Sequence, residues 1–201
     1  MSTTQKVLLI NTHLTYPNWS EGTLNASFHQ KAKDFFEANH FEILETKVED
    51  GYDANEEVEK HLAADIIILQ TPINWFGAPW IYKKYVDDVF NSGLLSAKFL
   101  TGDGRTKEDN TRQYGTGGKM QGKKFMVSST WNAPEASFDD PDQVLFEGRS
   151  TADVLIQITS NYRFCGVDVL ADYNCFDIFK DGDISGTLEN YPAHLKQVLS
   201  L

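Results

Sequence analysis

The stretch Asp65-Ile66-Ile67-Ile68-Leu69-Gln70-Thr71-Pro72 decides the fold. Its unbroken aliphatic run, with no polar alternation, describes a strand covered on both faces, as in the middle of a parallel sheet. Pro72 ends the strand because it has no backbone donor for the ladder. Just upstream, residues 56–64 carry Val58 and Leu62 four apart and read as a short helix. Further back, Val7-Leu8-Leu9-Ile10 repeats the buried-strand pattern and closes at Asn11. Residues 24–38 then place Leu24, Phe28, Ala32, Phe35 and Phe36 at helical spacing, and Phe41, Ile43 and Leu44 supply another strand. Downstream, Pro79 suits a first helical turn, and Trp80, Tyr82, Tyr85, Val86, Val89 and Phe90 continue it to an expected stop at Gly93. A strand over 125–130, a helix over 152–162, a fifth strand over 167–173 and a closing helix over 191–201 complete the pattern.

Strands alternating with helices predict an α/β fold, a three-layer sandwich in which right-handed crossovers cover both faces of a parallel sheet. Five strands fit the flavodoxin-like order 2-1-3-4-5 better than a six-stranded dinucleotide fold. The 201 residues suit a single domain spanning 1–201. Residues 98–122 are rich in Gly, Thr, Asp and Lys and too long for a simple connection, which marks a functional excursion.

Composition removes several classes of function. Eighteen Lys and Arg against 29 Asp and Glu give a net charge of -11, which repels nucleic acid and anionic lipid. No apolar run approaches the roughly 18 residues a membrane helix needs, so no membrane insertion is expected. Cys165 and Cys175, without metal-ligand spacing, read as reduced core thiols of a cytoplasmic protein. His13, His29, His40, His61 and His194 show no clustered ligand spacing, and no metal site is expected. The glycine-rich dinucleotide and triphosphate fingerprints are absent.

In an open parallel sheet, ligands bind beyond the carboxyl ends of the strands where strand order reverses. Three loops meet that description. Ser20-Glu21-Gly22-Thr23-Leu24-Asn25 leads into the first helix and brings hydroxyls and free N–H groups to its positive end, which suits a phosphate or serves as an ordinary cap. Pro72-Ile73-Asn74-Trp75-Phe76-Gly77-Ala78-Pro79-Trp80 carries aromatic side chains where a solvated loop should be polar, as a planar heteroaromatic ring or a protein interface would require. Thr130-Trp131-Asn132-Ala133-Pro134 repeats that chemistry at a neighbouring strand end.

These loops resemble those of the modulator of drug activity B family of NAD(P)H:quinone oxidoreductases. Matching blocks run through Gly77-Ala78-Pro79-Trp80, Lys83-Lys84-Tyr85-Val86-Asp87-Asp88-Val89-Phe90, Asp103-Gly104-Arg105-Thr106, Tyr114-Gly115-Thr116-Gly117-Gly118, Gln121-Gly122-Lys123-Lys124 and Thr130-Trp131-Asn132-Ala133-Pro134. The resemblance extends from the first strand to about Phe138. It implies an FAD-containing homodimer that takes hydride from NADPH or NADH and passes it to a quinone by ping-pong, two-electron turnover. It further implies that Ser20, Glu21, Gly22, Thr23, Leu24, Asn25, Ala26 and Ser27 line the FAD phosphates and ribityl chain. Pro72, Ile73, Asn74, Trp75, Thr130, Trp131, Asn132 and Ala133 would hold the isoalloxazine, and Tyr114 would touch the cofactor from the excursion. No side chain is expected to act as chemical catalyst, because flavin N5 carries the hydride. Asn74 stands where the family tends to place Trp, which lightens one wall of the ring site. An FMN-binding electron carrier and an azo- or nitro-compound reductase are the alternatives on the same fold.

Overall fold

In a computed structural model, which describes residues 4–201, the sheet runs β2-β1-β3-β4-β5, with a sixth short strand continuing the far edge beside β4. The strands are β1 (Lys6–Asn11), β2 (Glu42–Lys47), β3 (Ile66–Pro72), β4 (Lys124–Thr130), β5 (Asp168–Val169) and β6 (Tyr173–Cys175). The helices are α1 (Thr23–Ala38), α2 (Ala54–Ala63), α3 (Trp80–Leu95), α4 (Thr151–Val154), α5 (Ile156–Phe164) and α6 (Ile184–Leu199). All strand pairs are parallel. The flavodoxin-like order expected from the sequence is present.

The double-sided burial read from β3 has a direct structural cause. Side chains alternate across a strand, so Ile66 and Ile68 join Val7, Leu9 and Met126 under α1 and α6, where Phe28, Phe36, Tyr191 and Leu195 cover them. Ile67 and Leu69 join Leu8, Ile10, Phe125 and Val127 on the other face, against Tyr85, Val89 and Tyr162 of α3 and α5. Neither face of β3 can accept a polar residue until the chain reaches Gln70.

The helix expected over 152–162 is broken at Leu155 into α4 and α5, and four other boundaries differ from the sequence reading for local reasons. The fifth strand is split: Val169 pairs with Phe125 and Tyr173 with Ser128, so four steps on one side match three on the other. That extra residue is a bulge, and after Leu170, whose N–H still donates to the Phe125 carbonyl at 2.8 Å, it interrupts the ladder until Tyr173. Helix α3 runs through Gly93 to Leu95 because Gly93 is a packing position: a Cβ there would sit 2.4 Å from the Phe99 ring. Helix α2 begins at Ala54, where the Asp53 side chain accepts from the N–H groups of Asn55 and Glu56. Helix α6 begins at Ile184, capped by Asp183, and carries Pro192 inside it, so the proline does not mark its start.

Residues 98–122 contain no helix or regular strand and are held by close backbone packing. Gly117 lies against the Gly102 carbonyl and Gly118 against Cys165, where a Cβ would come within 2.1 Å of backbone in each case. Cys165 and Cys175 are buried free thiols, and burial pushes Cys165 up to about 12. No helix among the described residues is long and apolar enough to cross a membrane, and no three of their His, Cys, Asp or Glu side chains cluster as metal ligands.

Candidate cofactor cleft

The carboxyl ends of β3 and β4 are tied to the first turn of α1 by one chain of side-chain bonds. Gln70, the first polar residue of β3, donates from Nε2 to Asn25 Oδ1 at 2.9 Å, and Asn25 Nδ2 donates to Thr130 Oγ1 at 3.4 Å. All three are buried. The first turn of α1 is thereby fixed above the strand ends, and Gln70 Oε1 is left buried without a partner.

The loop between β1 and α1 folds back on itself. Tyr16 and Ser20 exchange backbone hydrogen bonds at 2.9 and 2.8 Å, which sets the Tyr16 ring at a tilt beside Trp19 with centroids 5.4 Å apart and leaves Trp19 exposed. Glu21 folds back to accept from the Asn18 N–H at 2.8 Å. Gly22 enters α1 at φ 81, a left-handed conformation in which glycine is nearly free of strain. The buried imidazole of His13 lies directly beneath it, so a Cβ on Gly22 would be 2.5 Å from Nδ1. His13 Nε2 meets Ser20 Oγ at 3.1 Å, and its own N–H donates to Asn11 Oδ1. Burial holds this ring below its usual range.

No side chain caps α1, and its first turn contains no acidic residue. The opening N–H groups of the helix and the hydroxyls of Ser20 and Thr23 therefore face the cavity as donors. The cavity is about 490 Å³ and is lined by Ser20, Glu21, Gly22, Thr23, Leu24, Asn25 and Ser27 from this loop and helix. Pro72, Ile73 and Asn74 after β3, and Thr130 and Asn132 after β4, close the opposite wall.

The loop after β3 forms a tight turn in which Asn74 and Gly77 exchange backbone hydrogen bonds. Trp75 and Phe76 occupy its centre at φ 51 and 66, an unfavourable conformation for such side chains. The Phe76 carbonyl, which accepts from Gln157 Nε2 at 3.2 Å, and its ring edge on Phe146 hold the turn in place. The consequence is that Trp75 stands 94% exposed at the mouth of a second cavity of about 720 Å³. That cavity shares Tyr16, Trp19, Ile73, Asn74, Asn132 and Phe179 with the first, so the two form one cleft.

Four residues named from the sequence lie elsewhere in the chain. Trp131 is 2% exposed and turned into the core against Phe138, its Nε1 donating to Ser129 Oγ and Asn174 Oδ1. The period-two alternation past Thr130 sends it to the opposite side of the strand end. Ala133 packs against that same core, Ala26 is on the exposed side of α1, and neither lines the cleft. Tyr114 lies against Phe164 at 5.1 Å with Arg105 over its ring, in a separate groove of about 390 Å³ beside α3 and α5.

Conversely, Ile178, Phe179, Ile184 and Leu188 line the cleft without having been singled out. Nothing local marks them, because only the return of α6 beside α1 brings them there. Tyr16 and Trp19 were legible as aromatics in a loop at the correct strand end.

The sequence profile of a family described as having a flavodoxin-like fold matches residues 5–199. The chain is 38% identical over 179 residues to the NADPH:quinone oxidoreductase MdaB of Haemophilus influenzae, covering 89% of this chain and 92% of that one. It is 36% identical to an uncharacterized protein of Schizosaccharomyces pombe, covering 96% of each. Among solved structures, a candidate quinone reductase from Klebsiella pneumoniae superimposes with a TM-score of 0.75 at 21% identity, covering 98% of this chain and 84% of that one. The general stress protein 14 of Treponema denticola, solved in complex with FMN, superimposes with a TM-score of 0.65 at 21% identity, covering 96% and 99%. On the sequence matches, the chain belongs to the modulator of drug activity B family within the flavodoxin-like proteins.

Proposed function

We propose that this protein is an NAD(P)H-dependent quinone reductase whose cleft holds FAD. One observation carries the choice of cofactor: the cleft combines the open start of α1 with two apolar regions. An apolar shelf of Ile178, Phe179, Ile184 and Leu188 lines the first cavity together with the start of α1, and Trp75 and Trp80 border the second cavity that joins it. A pyrophosphate flanked by two ring systems matches that arrangement, whereas FMN would leave the shelf bare.

Bound FAD would supply two-electron redox chemistry between the nicotinamide and the acceptor. The chain's own part is binding, orientation and exclusion of water. Ser20, Thr23 and the opening N–H groups of α1 bind phosphate oxygens. No lysine or arginine lines the cleft, so backbone dipoles supply the attraction. Pro72, Ile73, Asn74, Thr130 and Asn132 border the ring, and the N–H groups of Trp75 and Asn132, which make no backbone hydrogen bond, are available to its polar edge. Trp75 and Trp80, which border the second cavity, would shield the reacting face.

Tyr114 lies outside the cleft of its own chain, so its cofactor contact requires a second chain. The exposed Trp75, Phe76, Trp80 and Ile156 supply apolar surface for such a homodimer. Purified protein saturated with FAD should sediment as a dimer, bleach anaerobically with NADPH and recover its flavin absorbance on addition of a benzoquinone. Protein that retains no flavin, or reduced protein that a quinone leaves bleached, defeats the reading.

A further inference from the structure

We propose that His13 is a positioning residue of the phosphate cradle and takes up a proton when a phosphate ester settles against Ser20. The inference rests on the reading of the cleft as a flavin site and concerns how that site holds its anion.

The geometry places three groups in line. His13 is 4% exposed, its Nε2 meets Ser20 Oγ at 3.1 Å, and Ser20 lines the cavity. A hydroxyl has a single proton. Ser20 can give it to a phosphate oxygen and stay hydrogen-bonded to the ring only by accepting from Nε2–H. An occupied cradle therefore selects a ring that carries a proton on Nε2, which both the neutral Nε2–H tautomer and the imidazolium do, and the charge of the phosphate favours the imidazolium. The absence of a side chain on Gly22 lets the imidazole lie directly under the start of α1, where a Cβ would be 2.6 Å from Cε1.

The charges facing the ring oppose one another. Lys47 on β2 disfavours a proton there, whereas Glu49, in the turn after β2, and Glu21, in the loop, favour one. The Glu49 carboxylate is already bonded to the N–H and hydroxyl of Thr15 at 2.7 and 2.9 Å and lies 3.6 Å from Lys47. Asn11 accepts from the His13 backbone N–H and adds no charge. With the cradle empty, burial disfavours a proton on the ring, and the positive end of α1 acts in the same direction. A bound phosphate reverses the local sign and raises the affinity of the ring for a proton. Linkage then makes binding strongest below the free ring's titration range and weakest above that of the bound ring.

The test measures FAD affinity from pH 5.5 to 8.5 for the wild type, His13→Gln and Ser20→Ala, with riboflavin as the phosphate-free control. FAD suits the purpose because its pyrophosphate diester keeps a constant charge over this range. Calorimetry in two buffers of different ionisation heat counts the protons taken up. Wild-type affinity should weaken about fivefold from pH 6 to 8. Riboflavin should show no slope, and neither should His13→Gln, which keeps an N–H donor toward Ser20 but cannot titrate. Ser20→Ala should flatten the slope as well. Parallel slopes in wild type and His13→Gln overturn the proposal. Inorganic pyrophosphate serves as a second probe, its own titration cancelling in the comparison of the two proteins. A His13-dependent slope with pyrophosphate in a protein that binds no flavin would uphold the relay and defeat the flavin reading. No His13-dependent slope with either probe would defeat the relay alone if FAD binds.

Discussion

Helices α1 and α2 both begin beyond the carboxyl end of the strand that precedes them, yet their first turns are built in opposite ways. Asp53 closes α2 by accepting from two of its opening N–H groups at 2.8 and 3.0 Å. Gly22 closes nothing on α1, and no acidic residue lies in its first turn. Opening donors of the same kind are satisfied internally at two positions in one helix and presented to a cavity in the other. The body of α2 continues the contrast. Its buried Glu57 accepts from the Tyr85 hydroxyl at 2.6 Å, from Lys60 Nζ at 2.6 Å and from Thr46, and its buried His61 packs among Tyr85, Phe90, Phe99 and Tyr162. One helix holds the core together and the other leaves its opening donors free for the proposed ligand.

The most severe way to break the contrast is Gly22→Val. A β-branched side chain at φ 81 is strained, and its Cβ would strike the His13 ring. Stability should fall by about 3 kcal/mol and FAD retention should be lost, as read from urea midpoints and flavin absorbance after gel filtration. A variant as stable and as yellow as the wild type would show that the cradle does not depend on this close approach.

Acid should act on the α2 side. Nδ1 of His61 lies 2.8 Å from the Glu57 carbonyl, which can only accept, so Nδ1 carries the proton, and Nε2 is buried without a partner. Burial lowers the ring from 6.5 to about 4. Above pH 6.5 the ring is neutral in both folded and unfolded chains. Between 6.5 and 4 the unfolded chain gains the proton and the folded one does not, so stability falls by up to about 3 kcal/mol and then levels off. His61→Phe should shrink the difference in urea stability between pH 7 and pH 5. An unchanged difference would place the acid sensitivity elsewhere.

The mildest test exchanges the roles of the two helix starts. Asp53→Ala should cost about 1 kcal/mol and leave FAD affinity unchanged. Thr23→Glu should stabilise α1 by about 0.3 kcal/mol through its dipole while repelling phosphate and weakening FAD binding about tenfold. Opposite signs on stability and affinity for Thr23→Glu, measured by thermal unfolding and flavin titration, would confirm that α1 is left open for an anion. Matching signs would count against it.

Local sequence determined a great deal here. The run from Ile66 to Leu69 could only be a strand with two dry faces, and with the run from Val7 to Ile10 and the alternation of strands and helices it pointed to the parallel sheet, its order and the end at which a cleft would open. The loops at 20–25 and 72–75 and residues Thr130 and Asn132 were legible for the same reason: their hydroxyl, glycine and aromatic chemistry is wrong for ordinary solvated connections.

Tertiary structure decided what depends on where the chain returns. Trp131 reads like its neighbours in sequence, but the pleat of β4 points it into the core, and one inserted residue in the fifth strand is invisible without its partner. Gly93 reads as a helix stop until Phe99 is found against it. Ile178, Phe179, Ile184 and Leu188 look like generic apolar residues and become a cavity wall only when α6 packs beside α1. Tyr114, drawn to the cofactor by family resemblance, lies in another groove. Periodicity reports how a segment meets water. Which distant segment supplies the other wall is a property of packing, and no residue carries that information by itself.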